Sequence, residues 1–166
     1  MNPVRAAIVV LGMSGSAAGL AGLVRWWHHR KDGPGTGYID GMPVELMLVT
    51  IDGKAVEAQT AAAYRRMRDA AAAAGVALTI VSGFRTLAEQ EHLHECYRTG
   101  KCNHGNYAEQ PGYSEHQSGR ALDLNARAAG VQDWLLAHAN EHGFFATVAG
   151  EPWHWEYWGD SPPHLG

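Results

Sequence analysis

Residues 114–125 read SEHQSGRALDLN. From Gly119 to Asn125 the stretch alternates as a strand does. Ala121, Asp123 and Asn125 fall on one face, and Leu122 and Leu124 on the other. Such a strand buries its leucines in a core while presenting a carboxylate to a cleft. Gly119 lets the chain turn between His116 and the strand, so His116 and Asp123 can converge on one point. Taken alone, a histidine and an aspartate seven residues apart are more often a capped turn and a surface carboxylate.

Working outward, VALTIV (76–81) reads as a buried strand, broken by Ser82-Gly83. Thr86-Leu-Ala-Glu89 is a capping box, which starts a helix running towards Arg98. Further back, Pro43–Asp52 is β-branched and apolar and ends at Asp52-Gly53, a turn signal. Ala55–Ala74 is rich in Ala, Arg, Met and Glu and stops at Gly75, so it reads as a long helix. Residues 99–115 lack periodicity and form a long loop, a frequent place for function. Downstream, Val131–His142 reads as a helix closed by Gly143. Phe144–Val148 and Trp153–Trp158 read as short strands around Ala149-Gly150. Strands and helices mix without a βαβ rhythm, which predicts an α+β domain whose mainly antiparallel sheet is flanked by helices.

The chain has 166 residues, enough for one domain with its own core. With 46% apolar and 18% charged residues it is globular in composition. A net charge of −4 and the lack of a basic face argue against a nucleic-acid partner. Ten histidines raise the prior for metal chemistry without naming a ligand. Cys96 and Cys102 are spaced wrongly for a zinc knuckle and are expected to form a disulfide if the protein is exported.

Export is the expectation from the N-terminus. Residues 6–24, AAIVVLGMSGSAAGLAGLV, are uncharged and lie between Arg5 and Arg25. They reach the length of a membrane span and also fit a secretory signal with small residues at Ser16, Ala17 and Ala18. Residues 1–31 are therefore read as a signal peptide or N-terminal membrane anchor with a basic flank. The positive charges that follow the segment run against export by the positive-inside rule. Residues 32–42, DGPGTGYIDGM, read as a glycine-rich linker. The folded domain is expected over 43–166, as a monomer in the periplasm or cell envelope.

Two further clusters carry chemistry. In EPWHWEY (151–157), Glu151 sits on a turn and His154 on a strand. A catalytic zinc ion needs three protein ligands and an open position. It also needs a carboxylate that takes a proton from water and returns it to the leaving amine. An aromatic core strand with an incidental histidine accounts for the same residues. In SGFRT (82–86), Arg85 lies between a strand end and a helix start, where a guanidinium can hold an oxyanion or a carboxylate. Gln90 falls one helical turn further on. A surface salt bridge is the plainer reading of Arg85.

Together, SGFRT with Gln90, PGYSEHQSGRALDL and EPWHWEY resemble the zinc D-alanyl-D-alanine carboxypeptidases, including those of vancomycin resistance. Three separated motifs in the family's order are far more specific than any one. The resemblance spans roughly Pro43 to Gly159 and implies the Hedgehog/D-Ala-D-Ala peptidase-like fold. It implies one zinc ion per chain, held by His116, Asp123 and His154, with Glu151 as the base. It implies that Arg85 binds substrate and polarises the carbonyl, that Gln90 and Ser114 contact substrate, and that Trp153 shapes the pocket wall. The implied substrate is a peptidoglycan stem peptide ending in D-alanine.

Phe84 stands where a tyrosine is commoner in the family, and the segment from Gly143-Phe144 to Glu151 is short. Glu156 shares a strand face with His154, and is either a partner of that histidine or a rival ligand. An endopeptidase on the same fold, and a zinc-bound module without catalysis, are the alternative functions. The closing EPWH speaks against the first and Glu151 against the second.

Overall fold

A computed structural model describes residues 32–161. The signal or anchor expected over residues 6–24 lies outside the described residues. Among the described residues no helix is long and apolar enough to cross a membrane.

Two antiparallel sheets carry the fold. The first is a meander of β1 (Gly33–Ile39), β2 (Met42–Ile51) and β3 (Lys54–Glu57). The second has the order β4 (Ile80–Ser82), β5 (Ala121–Leu124), β7 (His154–Tyr157) and β6 (Phe144–Phe145), with every pairing antiparallel. The helices are α1 (Ala58–Ala73), α2 (Leu87–Thr99), the single turn α3 (Glu115–Ser118) and α4 (Val131–His138). This is the α+β arrangement with antiparallel sheets that the sequence predicts.

The core lies between α1, α4 and one face of the second sheet. Tyr64 and Met67 of α1 meet Ile80, Leu122, Leu124, Phe144 and Trp155 in one buried cluster. Leu122 and Leu124 are 0% and 1% exposed, as the alternation requires. Each such leucine contributes about 1.5–3 kcal/mol by leaving water. The opposite face of β5 and β7 is thereby left to present Asp123 and His154.

Several elements depart from the sequence expectation, among them the strand expected over Phe144–Val148, which holds only Phe144–Phe145. Residues 32–42 are not a linker. Asp40-Gly41, with φ of 51° and 78°, closes a hairpin in which all of β1 pairs with β2. Two residues with positive φ make the tight turn that suits twisted strands. Gly37 is needed there, because a Cβ on it would lie 2.6 Å from the Gln117 carbonyl oxygen. The hairpin therefore lies directly against the turn that carries His116.

The long helix begins at Ala58, three residues later than its composition suggests. Asp52-Gly53 makes a second hairpin, so Lys54–Glu57 pair with β2. Glu57 then caps the helix, its carboxylate accepting from the Gln59 and Thr60 amides at 2.8 and 2.9 Å. Finally, β4 holds only three residues. Upstream of it, the Asn125 side chain replaces the ladder, accepting from Thr79 N and donating to Ala77 O, each at 2.9 Å.

The helix from Thr86 has the expected capping box, with Thr86 and Glu89 bonding reciprocally. The expected helix 131–142 ends as α4 at His138 and continues as a 3-10 turn, Ala139–His142, before Gly143 at φ 79°. The loop after α2 is stapled to it by a Cys96–Cys102 disulfide.

Candidate metal centre

Strand register brings the first two ligand candidates together. Asp123 of β5 pairs directly with His154 of β7. Residues opposite one another in an antiparallel pair project to the same face, with Cβ atoms about 5 Å apart. The Leu124 amide donates to the Trp153 carbonyl at 2.8 Å and locks that register.

His116 arrives from α3, and the turn between β4 and α2 fixes it. The Arg85 amide donates to the His116 carbonyl at 3.0 Å, and the His116 ring meets the Gly83 carbonyl through Nδ1 at 2.8 Å. Gly83 is required by close approach, since a Cβ there would fall 2.4 Å from the Ala55 carbonyl oxygen. The glycine of SGFRT thus lets the turn pack against β3 while its own carbonyl orients His116.

Ligand atoms of His116, Asp123 and His154 all lie within 4.8 Å of one another. Asp123 Oδ1 is 3.4 Å from both His116 Nε2 and His154 Nδ1. That oxygen is buried and has no hydrogen-bond partner.

The far side of each ring is already committed. A backbone carbonyl only accepts, so His116 Nδ1 carries a proton and Nε2 offers its lone pair inward. His154 Nε2 lies 3.0 Å from Glu156 Oε1, so the proton sits on Nε2 and Nδ1 faces Asp123. Glu156 therefore occupies the outer nitrogen of His154, while the Trp158 indole donates to its second oxygen at 2.8 Å. Partners of this kind set the tautomer and angle of metal-binding imidazoles.

The charges agree with this reading. Burial opposes ionisation of Asp123, but the close approach of His116 and His154 outweighs it and holds the carboxyl well below its usual range. Burial also opposes the charged form of His154. Asp123 and Glu156 overcome it, and the imidazole is pushed up to about 9. Glu156 is likewise held below its usual range, burial being outweighed chiefly by the hydrogen bonds from His154 and Trp158. A divalent ion at this point would replace the proton between His154 and Asp123 and engage the orphaned oxygen. Two imidazole nitrogens and one carboxylate oxygen are the donor set of a catalytic zinc site. Among the described residues a second group, His92 with Cys96 and Cys102, has its two sulfurs spent in the disulfide.

The other expected residues surround this point to different degrees. Glu151 is half-buried on the turn before β7, and its carbonyl accepts from the His154 amide at 3.0 Å. Arg85 feels the charges of Asp123, Glu89, Glu109 and Glu151; burial outweighs them and pulls its pKa below the usual arginine value. Gln90 is fully buried against Arg85. Ser114 is buried at the N-terminus of α3. Trp153 lies half-buried under the Arg127 guanidinium, 5.8 Å from the ring centre. Glu109 is a residue that sequence reasoning did not single out. It lies in the aperiodic loop, and no spacing marks it.

This architecture, two imidazoles and a carboxylate with the half-buried Glu151 and Arg85 in the same region, is that of a mononuclear metallohydrolase centre. The family model for VanY, D-alanyl-D-alanine carboxypeptidase, matches residues 53–160, and the chain belongs to that family. A D-alanyl-D-alanine carboxypeptidase of Enterococcus faecalis is 28% identical in an alignment that covers 65% of this chain and 50% of that protein. The chain spans about half the length of the curated relatives it matches. Among solved structures, VanYB in complex with D-alanine-D-alanine superposes with a TM-score of 0.60 at 26% identity, over 70% of this chain and 79% of that one. A glutamate-to-alanine mutant of a VanB-type vancomycin resistance D,D-pentapeptidase VanY, in complex with Zn(II), gives 0.61 at 26% identity, over 74% and 83%. The fold is that of the VanY-like peptidases.

Proposed function

We propose that the chain is a zinc-dependent D-alanyl-D-alanine carboxypeptidase that removes the terminal D-alanine from peptidoglycan stem peptides. The carrying observation is the buried Asp123 oxygen without a partner, 3.4 Å from one nitrogen of each of two histidines whose other nitrogens are already bonded. Membership of the family supports the reaction, as do solved relatives that hold Zn(II) or D-alanine-D-alanine.

His116, Asp123 and His154 would hold the zinc ion, which when bound would supply Lewis acidity for the carbonyl and the water. The remaining work belongs to the chain. Glu151 takes the proton from the water and passes it to the leaving D-alanine nitrogen. Arg85 directs its guanidinium at the oxygen that gains charge, in a setting desolvated enough to strengthen the interaction. Glu156, through His154 Nε2, holds the imidazole at a fixed angle throughout. Ser114 and Trp153 border the peptide.

The reaction is placed outside the cytoplasm, with residues 6–24 as signal or anchor and the enzyme as a monomer. The Cys96–Cys102 disulfide supports that compartment, because such bonds persist where the environment is oxidising. The test is incubation of the zinc-loaded protein with a stem pentapeptide ending in D-Ala-D-Ala. Free D-alanine and a tetrapeptide are expected. Internal fragments without free D-alanine would assign an endopeptidase instead, and no cleavage of any wall peptide would refute the proposal.

A further inference from the structure

We infer that Gln90 is a positioning residue, which acts on the reaction by holding Arg85 and one wall of the cleft in place. The inference rests on the carboxypeptidase reading above and revises the expectation that Gln90 touches substrate. Gln90 is 0% exposed, near the start of α2. Its Oε1 accepts from Arg85 Nη1 at 2.7 Å, and its Nε2 donates to the Glu109 carbonyl at 2.8 Å. A buried primary amide is tolerated when its polar atoms are paired. Here the two ends are paired with two different elements.

One partner is the turn that carries Arg85. An arginine side chain has large rotamer freedom, and one fixed bond at Nη1 sets the plane of the whole guanidinium fork. The remaining donors are then aimed without further ordering when substrate binds, which is the source of preorganised electrostatic stabilisation.

The other partner is the loop after α2. That loop is fastened to the helix at two further points. His94 Nδ1 meets the Ala108 carbonyl at 3.0 Å, and Cys102 is bonded to Cys96. The loop in turn presents the Glu109 carboxyl, which feels the charges of Glu115, Glu156 and His154. Arg85, α2 and the loop wall therefore form one body, and Gln90 is the internal tie between Arg85 and the wall.

The test is a double-mutant cycle on the full zinc-loaded chain, using the D-Ala-D-Ala pentapeptide. Gln90→Leu and Gln90→Asn are each made in the wild type and in Arg85→Ala. Zinc content and thermal melting identify the folded variants, and the milder Gln90→Asn serves if Gln90→Leu does not fold. Loss of a hydrogen bond to a charged group is expected to lower kcat about 10- to 100-fold with KM nearly unchanged. In the Arg85→Ala background the same change is expected to cost several-fold less than in the wild type, because one of its two partners is gone and only the tie to the wall remains. A full additive loss in that background, a loss confined to KM, or no loss at all would each overturn the inference. Inactivity of the wild-type protein would instead remove the carboxypeptidase reading itself.

Discussion

Replacing Glu156 by alanine isolates the support of one ligand from the ligand itself. Glu156 Oε1 lies 3.0 Å from His154 Nε2 and Oε2 takes the Trp158 indole N–H at 2.8 Å. The carboxylate is 6% exposed, so water does not readily replace it. Glu156→Ala leaves the His154 Nε2–H without its charged acceptor and frees the ring to rotate. A hydrogen bond to a charged group contributes about 1.5–3 kcal/mol net. At about 1.4 kcal/mol per tenfold, zinc affinity is expected to fall roughly 10- to 100-fold. Glu156→Gln keeps an acceptor but not the charge and should fall between the variant and the wild type. The assay is competition for zinc against a chromophoric chelator at fixed pH, with His154→Ala as reference. An affinity equal to the wild type would refute the reasoning. A loss as complete as that of His154→Ala would show that Glu156 binds the ion directly.

Glu151→Ala should lower kcat about 10²–10⁴-fold while one zinc per chain stays bound, read by turnover and metal analysis on the same sample. A variant that is inactive because it has lost zinc would contradict the base assignment. The metal-free protein should lose stability as pH rises. His154 has its pKa raised to about 9 in the folded state, against about 6.5 when unfolded, so its contribution is whole below pH 6.5 and lost through pH 9. Melting of chelator-treated protein should fall across that window. The zinc-loaded protein should not show this fall, because the ion has already displaced the proton. A flat profile for the metal-free protein would refute the His154–Asp123 proton bridge.

The second sheet and its chemistry were legible because period-two alternation and pairing obey short-range rules. Leu122 and Leu124 had to bury, so Asp123 had to face away. The hairpin over residues 33–51 was missed although its signal was present. Asp40-Gly41 repeats the Asp52-Gly53 turn, but the glycines of β1 read as flexibility when they in fact make room for Leu46, Leu48 and the Gln117 carbonyl. The start of α1 was misplaced for a related reason. Ala55, Val56 and Glu57 suit a helix by composition, and only pairing with β2 makes them a strand. The shared strand face brought Glu156 to His154 but left it as either partner or rival ligand, a choice made only by which nitrogen of the ring faces it. The role of Gln90 was not legible in spacing, because it depends on the Glu109 carbonyl that a distant segment presents.

Anomalous diffraction at the zinc absorption edge, from crystals of the zinc-loaded protein, bears most directly on where the ion sits. A single peak is expected about 2.0–2.2 Å from His116 Nε2, His154 Nδ1 and an Asp123 carboxylate oxygen, with a fourth direction open to the cleft. No peak at saturating zinc, or a peak only at another group of side chains, would contradict the account.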